Sequence, residues 1–416
     1  MSVPSLRFNG FSECWEVQTL GDMVQILSGY PFSSELFSQK GKKLVIPKNF
    51  TKDGYGNFSS EYLKFTTEEC DTKYICNYGD LLLLLTDLTQ NCELLGKPLL
   101  IKKGEGGVLL NQRIIKIECN EYLNKVFLMN FFLTENYHKI IKETASGSTV
   151  KHSSNKILSN LKITYPTILE QVKISNFLTA FDEKISQLTQ KYDLLTQYKK
   201  GVMQQIFSQE LRFKDDGGRD FPEWVEKALS DVGKSFNGLV GKAGDDFGSG
   251  QSYITYKQIF DSSKIDVTKF SFVEIGENEK QNKVRFGDVF FTTSSETPDE
   301  VGLCSVLLSE VNNVYLNSFC FGYRISSFEI LSPLFAQFIF HSNGFREDVI
   351  KLAQGSTRYN ISKISFMKTK VQLPCINEQT KIANFLTAID NKITATQTQL
   401  KAVKQYKQGL LQHMFV

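Results

Sequence analysis

The 416-residue chain is poor in several residue types, and each shortage removes a class of protein. It has 4 His (His138, His152, His341 and His413, far apart) and 8 Cys with no Cys-x-x-Cys pair. No cluster has the spacing of a metal site, so no bound metal is expected. The cysteines are expected to be reduced thiols packed as small hydrophobes. No two of its 9 Pro are adjacent, which excludes the [DNS]-P-P-[YFW] motif of adenine methyltransferases. There is no G-x-x-x-x-G-K-[ST] phosphate loop. The longest aliphatic run, Leu81 to Leu85, falls far short of the roughly 20 residues that span a bilayer. The first residues lack a basic start followed by an apolar run, so a cytoplasmic protein is expected.

Charge is nearly balanced, with 48 Lys and Arg against 45 Asp and Glu. The net +3 excludes a histone-like binder but leaves room for local basic surfaces. With 33 Phe, 16 Tyr and 41% hydrophobic residues, the chain has ample material for more than one core.

The strongest signal is an internal repeat at an offset of 208 residues. EQVKISNFLTAFDEKISQLTQKYDLLTQYKKGVMQQIF (170–207) aligns with EQTKIANFLTAIDNKITATQTQLKAVKQYKQGLLQHMF (378–415), with about half of the positions identical. At the same offset Gly147-Ser148-Thr149 pairs with Gly355-Ser356-Thr357, Pro166 with Pro374, and Gly79-Asp80 with Gly287-Asp288. Trp15 and Trp224 pair after a one-residue slip. A frame that is kept while its filling varies suggests one scaffold carrying two different sites.

The kept segments are periodic. Leu178, Phe181, Ile185, Leu188, Tyr192 and Leu195 recur in steps of three and four, as do Leu386, Ile389, Ile393, Leu400, Val403 and Tyr406. Such narrow apolar stripes belong to coiled-coil helices. Pro166 and Pro374 stand just before the expected helix starts, and Glu170 and Glu378 lie in the first turns, where the helix dipole favours negative charge. Each helix of about 40 residues spans roughly 60 Å. Two exposed stripes in one chain are most simply buried against each other, and the connectivity makes that pairing antiparallel. The alternatives are that each helix packs on its own domain or pairs with another chain.

The fold expected is therefore α/β (α+β): two globular domains, 1–167 and 209–375, alternating with helices 168–208 and 376–416 that form an intramolecular antiparallel coiled coil with a pseudo-two-fold repeat. In the variable domains KKLVIPKNF (42–50) matches SYITYKQIF (252–260) as a strand leaving into a polar loop. GDLLLLLTDLTQ (79–90) matches GDVFFTTSSETP (287–298) as a buried strand followed by a loop. Apolar segments 126–141 and 334–350 read as packed helices leading into the loops 146–155 and 354–363.

The polar residues of these loops are the candidate DNA contacts, because short polar side chains, Lys and Arg read base edges or grip phosphate. In the first domain they are Lys48, Asn49, Thr86, Thr89, Gln90, Ser148, Thr149, Lys151 and His152. In the second they are Lys257, Gln258, Ser294, Ser295, Thr297, Ser356, Thr357, Arg358, Tyr359 and Asn360. Lys48 and Lys257 suit phosphates, and Arg358 suits guanine. Any one of these is also compatible with a solvated turn. Asn111, Gln112 and Arg113 are read as strand residues satisfying a core. The triplets Asp182-Glu183-Lys184 and Asp390-Asn391-Lys392 look like half a nuclease signature but read as solvated helix charges.

At this level of detail the whole chain resembles the specificity subunit of a type I restriction-modification system. The resemblance rests on G-S-T, then P, then E-Q, then N-F-L-T-A-x-D-x-K-I and Q-Y-K-x-G, present as Gly147-Ser148-Thr149, Pro166, Glu170-Gln171, Asn176 to Ile185 and Gln197 to Gly201, with a second copy 208 residues on. It implies a non-catalytic reader of double-stranded DNA, each domain reading half of a bipartite, asymmetric target while the helix pair fixes the gap. It also implies two modification (methyltransferase) subunits carrying S-adenosylmethionine for adenine methylation, and restriction (translocase-nuclease) subunits using ATP and Mg. This chain itself would hold no cofactor. A coiled-coil assembly adaptor that reads no sequence is the alternative.

Overall fold

A computed structural model describes residues 3–416 apart from positions 88 and 90. It divides into two units, Met1–Thr189 with Thr398–Val416, and Gln190–Gln397. Both draw on the two long helices, Ile168–Phe207 and Ile376–Met414, which begin two residues after Pro166 and Pro374.

The stripes explain the helix pairing in each unit. In unit 1, Ile174 and Leu178 share a core with Leu410, Leu411 and Met414, and the Phe181 ring lies 5.5 Å from that of Tyr406. In unit 2, Val202 and Ile206 share a core with Ile382, Ala383, Leu386 and Ile389. The order of these contacts is antiparallel. Burying a side chain such as Leu178 contributes about 2 kcal/mol. Leu188 is buried as the stripe requires, while Phe181, Ile185, Tyr192, Leu195, Ile393, Leu400 and Val403 are half-buried.

Two readings need correction. Tyr406 stands 59% exposed, and the buried neighbour is Lys407. Asp182 is no solvated charge: its carboxylate is ion-paired with Lys407 at 2.5 Å and accepts the Tyr55 hydroxyl at 3.2 Å. The second copy repeats the pair, Asp390 with Lys199 at 2.6 Å. Each Asp and each Lys is 208 residues from its counterpart, so one repeated motif makes the same bond in both units with its halves exchanged.

The Glu-Gln dipeptide at each helix start is also structural. Glu170 is buried and takes two hydrogen bonds from Arg7, both at 2.7 Å. Glu378 takes Arg212 at 2.9 and 3.3 Å and the Trp224 indole N–H at 3.1 Å. Next to them Gln171 donates to the carbonyls of Tyr122 and Pro166 and accepts from Asn124 N–H. Gln379 does the same with Ile330, Pro374 and Ser332. A buried amide so placed satisfies three backbone groups that would otherwise be orphaned.

The α+β domains share a frame. Unit 1 has an antiparallel sheet in the order Val24–Ser28, Ile114–Cys119, Leu81–Leu84, Pro98–Leu100; unit 2 has Gly233–Asn237, Cys320–Ile325, Val289–Thr292, Cys304–Val306. All four residues of Leu81–Leu84 and of Val289–Thr292 are buried, as a central strand covered on both faces demands. Glu16–Thr19 pairs with Lys162–Tyr165, and Val225–Ala228 with Lys370–Leu373. The outer sheets diverge, with five strands in unit 1 and three in unit 2. The apolar segments form two short helices each, Lys125–Phe131 with Glu135–Glu143 and Pro333–Ile339 with Asn343–Lys351, where Thr134 and Ser342 cap the second helix.

Loss of one partner from a buried ion pair leaves an uncompensated charge. The Asp182 and Lys407 side chains are 9% and 7% exposed, those of Asp390 and Lys199 26% and 23%. Lys407→Met is therefore expected to cost about 3 kcal/mol or more of unfolding free energy, and Lys199→Met about 1 kcal/mol, read from urea denaturation.

His341 gives a second test. It is half-exposed as a residue, but its Nε2 lies 3.0 Å from the Cys304 carbonyl oxygen, and burial of the ring lowers its pKa from 6.5 to about 4. Below pH 6.5 the unfolded chain takes up a proton that the folded chain refuses, so stability falls as pH drops from 6.5 to about 4. In His341→Gln the acid slope is expected to flatten by up to about 1.4 kcal/mol per pH unit.

Candidate nucleic-acid interface

The central strand of each domain does not end in a loop. After Leu84 the chain continues as Thr86–Asp87 and pairs antiparallel with Lys151–His152; after Thr292 it continues as Ser294–Ser295 and pairs with Tyr359–Asn360. The registers, Thr86 with His152 and Ser294 with Asn360, coincide at the 208-residue offset. The two candidate segments of each domain, more than 50 residues apart in sequence, thus form one ribbon.

Each outer strand folds into a closed tip. Ser146 and His152 exchange two backbone hydrogen bonds at 3.0 and 2.9 Å, as do Gln354 and Asn360. Gly147 (φ 99°) and Gly355 (φ 134°) make the turn, and a Cβ on either would fall 2.1 Å from the carbonyl oxygen of Val150 or Arg358. The glycine of the repeated G-S-T is a steric requirement. Ser148, Thr149, Ser356, Thr357 and Arg358 are exposed at the tips, with His152 and Asn360 exposed and Lys151 and Tyr359 half-buried at their feet.

Other candidates are placed differently. Asn49 is buried: its amide donates to the Asn57 and Tyr62 carbonyls and accepts from Ile46 N–H, so it stitches a turn and has no free edge for a base. Thr86, Ser294 and Ser295 are buried as the inner strand of the ribbon, and Ser295 Oγ donates to Glu300 at 2.9 Å. They support the tips rather than face solvent. Thr89 and Thr297 are exposed, and Thr89 N–H donates to Asp87 at 2.8 Å. Gln90 lies outside the described residues.

Lys48 and Lys257 are exposed, but on helical turns, Pro47–Asn49 and Tyr256–Asp261, not in the polar loops expected. Lys257 pairs with Asp261 at 2.7 Å. Gln258 is half-buried and bonds the Lys269 carbonyl. That helix meets the ribbon through Tyr256, whose hydroxyl donates to the Ser294 carbonyl at 2.9 Å and whose phenol burial pushes up. Asn111 to Arg113 form the turn between two strands, with Gln112 and Arg113 exposed, rather than satisfying a core.

One residue escaped the sequence reading. Phe319 is 56% exposed beside the unit 2 ribbon, and the Arg358 guanidinium sits 5.7 Å from its ring centre. The available signal was a large apolar residue directly after the turn dipeptide Asn317-Ser318.

The structure also brings a cysteine against a histidine. Cys304 Sγ lies 3.3 Å from His341 Nε2, but burial pushes the thiol up to about 12 and the imidazole down to about 4. Both groups are held neutral, the opposite of an activated thiolate–imidazolium couple.

Comparison with known proteins places this geometry. The family described as "Type I restriction modification DNA specificity domain" matches twice, at residues 12–197 and 222–405. The chain is 23% identical over 408 residues to the type I restriction enzyme MjaVIII specificity subunit of Methanocaldococcus jannaschii, covering 96% of this chain and 91% of that one. It is 25% identical over 300 residues to the EcoBI specificity subunit of Escherichia coli, covering 66% and 60%. In fold it matches the crystal structure of a type I restriction-modification S subunit from M. genitalium with a TM-score of 0.62 at 15% identity, covering 100% of this chain and 99% of that one. With two copies of the family domain filling most of its length, the chain belongs to the type I restriction-modification DNA specificity family.

Proposed function

We propose that this chain selects the DNA target for a type I restriction-modification complex and performs none of the chemistry. The observation that carries the reading is the ribbon. It occurs twice on one backbone frame, in one register, and presents different side chains each time. A frame repeated with altered tips suits two half-targets of different sequence, read by unit 1 and unit 2 separately. Ser148, Thr149, Lys151 and His152 in one unit, and Ser356, Thr357, Arg358 and Asn360 in the other, are the proposed contacts to base edges and phosphates. Lys48 and Lys257 are proposed phosphate contacts, and the helix pair is proposed to set the unspecified gap.

A second feature supports two copies of one partner. Tyr198 and Tyr406 occupy the same repeat position and are 52% and 59% exposed on the long helices, Tyr198 one turn from the 56% exposed Leu194. Exposed aromatics of this kind are common anchors of protein interfaces. We assign them to docking of two modification subunits, which would bring S-adenosylmethionine, with restriction subunits bringing ATP and Mg. No described helix is long and apolar enough to cross a membrane, in keeping with a cytoplasmic site of action.

The test is to map methylated adenines in cells with and without this chain, and with residues 209–375 exchanged for those of a relative. The expected result is a bipartite motif that disappears without the chain and changes in one half only in the chimera. An unchanged motif would favour the adaptor. Tyr198→Ala and Tyr406→Ala should each weaken capture of a modification subunit about tenfold or more, measured by titration, and leave the motif unchanged.

A further inference from the structure

We infer that Arg358 reads a guanine in the half-target addressed by unit 2, and that Phe319 is the positioning residue that holds its guanidinium for that contact. The inference rests on the DNA-reading function proposed above. Unit 2 contains six arginines, and four are already engaged. Arg212 is bound to Glu378, Arg219 to Asp215 and Arg324 to Asp288, while Arg346 donates to the carbonyls of Asp299, Val301 and Gly302. Arg285 lines a hollow beside the carboxylates of Asp288 and Glu310, a poor surface for DNA. Arg358 stands on the ribbon tip, and among the described residues it forms no ion pair.

Both partners of the Arg–Phe contact are fixed by backbone. Phe319 donates its N–H to Asn317 Oδ1 at 2.9 Å, and its carbonyl accepts from Thr293 N–H at 3.0 Å. The Arg358 carbonyl accepts from Asn360 Nδ2 at 3.3 Å, directly after the turn that Gly355 permits. At 5.7 Å from the ring centre the guanidinium is within cation–π range.

The purpose of such a contact follows from the chemistry of the two possible DNA targets. A phosphate attracts positive charge from any direction, so a mobile lysine serves it. Guanine offers O6 and N7 side by side, and the match is a guanidinium presenting two N–H groups in a set plane. A ring against the guanidinium supplies that plane, and it accounts for an aromatic side chain left more than half exposed. In unit 1 the equivalent positions are Val150 and Arg113, whose carbonyl accepts from Leu85 N–H as that of Phe319 accepts from Thr293 N–H, so the arginine–aromatic contact belongs to unit 2 alone.

The test uses the chain assembled with its modification subunits. The methylated motif is mapped for the native chain, Arg358→Lys, Phe319→Leu and Phe319→Tyr, alongside the chimera exchanging residues 209–375. The native motif should contain a guanine, on either strand, in the half that changes in the chimera. Arg358→Lys should lower preference for that base pair by about 10- to 100-fold and leave every other position unchanged. Phe319→Leu should relax the same pair, and Phe319→Tyr, which keeps the ring, should preserve it. Placing 7-deazaguanine there should weaken binding by the native chain, a readout that does not depend on any variant folding. A half-target without guanine, indifference to 7-deazaguanine, or an unchanged motif in Arg358→Lys would each overturn the inference. A chimera that leaves the motif unchanged would overturn the underlying function instead.

Discussion

Everything in this protein hangs on an aspartate on one helix meeting a lysine on the other. The apolar stripes bring the helices together, but stripes alone tolerate sliding by a turn. A buried charge pair does not, because any other register strands a carboxylate in a low-dielectric seam. The motif N-F-L-T-A-x-D and the motif Q-Y-K-x-G are the two halves of that lock, and each copy of the repeat supplies one half to each unit. The lock therefore closes twice, once tightly around Tyr55 and once at a more open seam beside Phe338.

The Glu-Gln corner carries the register outward. Arg7 and Arg212 tie the first residues of each domain to the helix starts, while Gln171 and Gln379 tie those starts to the short helices that close the cores. From there the central strand of each sheet runs straight into the ribbon. Position is handed from helix to core to strand to tip through buried groups at every stage.

Much of this was legible in the sequence because it repeats. Periodicity marked the helices and the seam, and two equally spaced copies marked the scaffold. The seam polarity was not legible. Asp182 and Lys407 look like ordinary helix charges until the partner helix is in place, and Tyr406 satisfies the apolar period although its neighbour is the one turned inward. At the ribbon the repeated G-S-T marked two matching loops, but the pairing of segments 86–87 and 151–152 is a long-range contact with no local signature. Asn49 shows the converse: a polar residue in a promising loop is consumed by the backbone of that loop. Phe319 left only the trace of an apolar residue after a turn dipeptide, because its reason for exposure, Arg358, lies on another segment.

The closed feet of the two tips have a consequence for how such a protein changes. Ser146 with His152, and Gln354 with Asn360, are joined by main-chain bonds that any residue but proline can make, and the turn asks only for glycine at one place. The exposed residues at the very tips, Ser148 and Thr149 in one unit and Ser356 and Thr357 in the other, are bound by little else in the fold. Mutation there is close to free of folding cost, whereas mutation at the helix seam is not. Selection can therefore rewrite what is presented at the tips while the assembly that uses it stays the same.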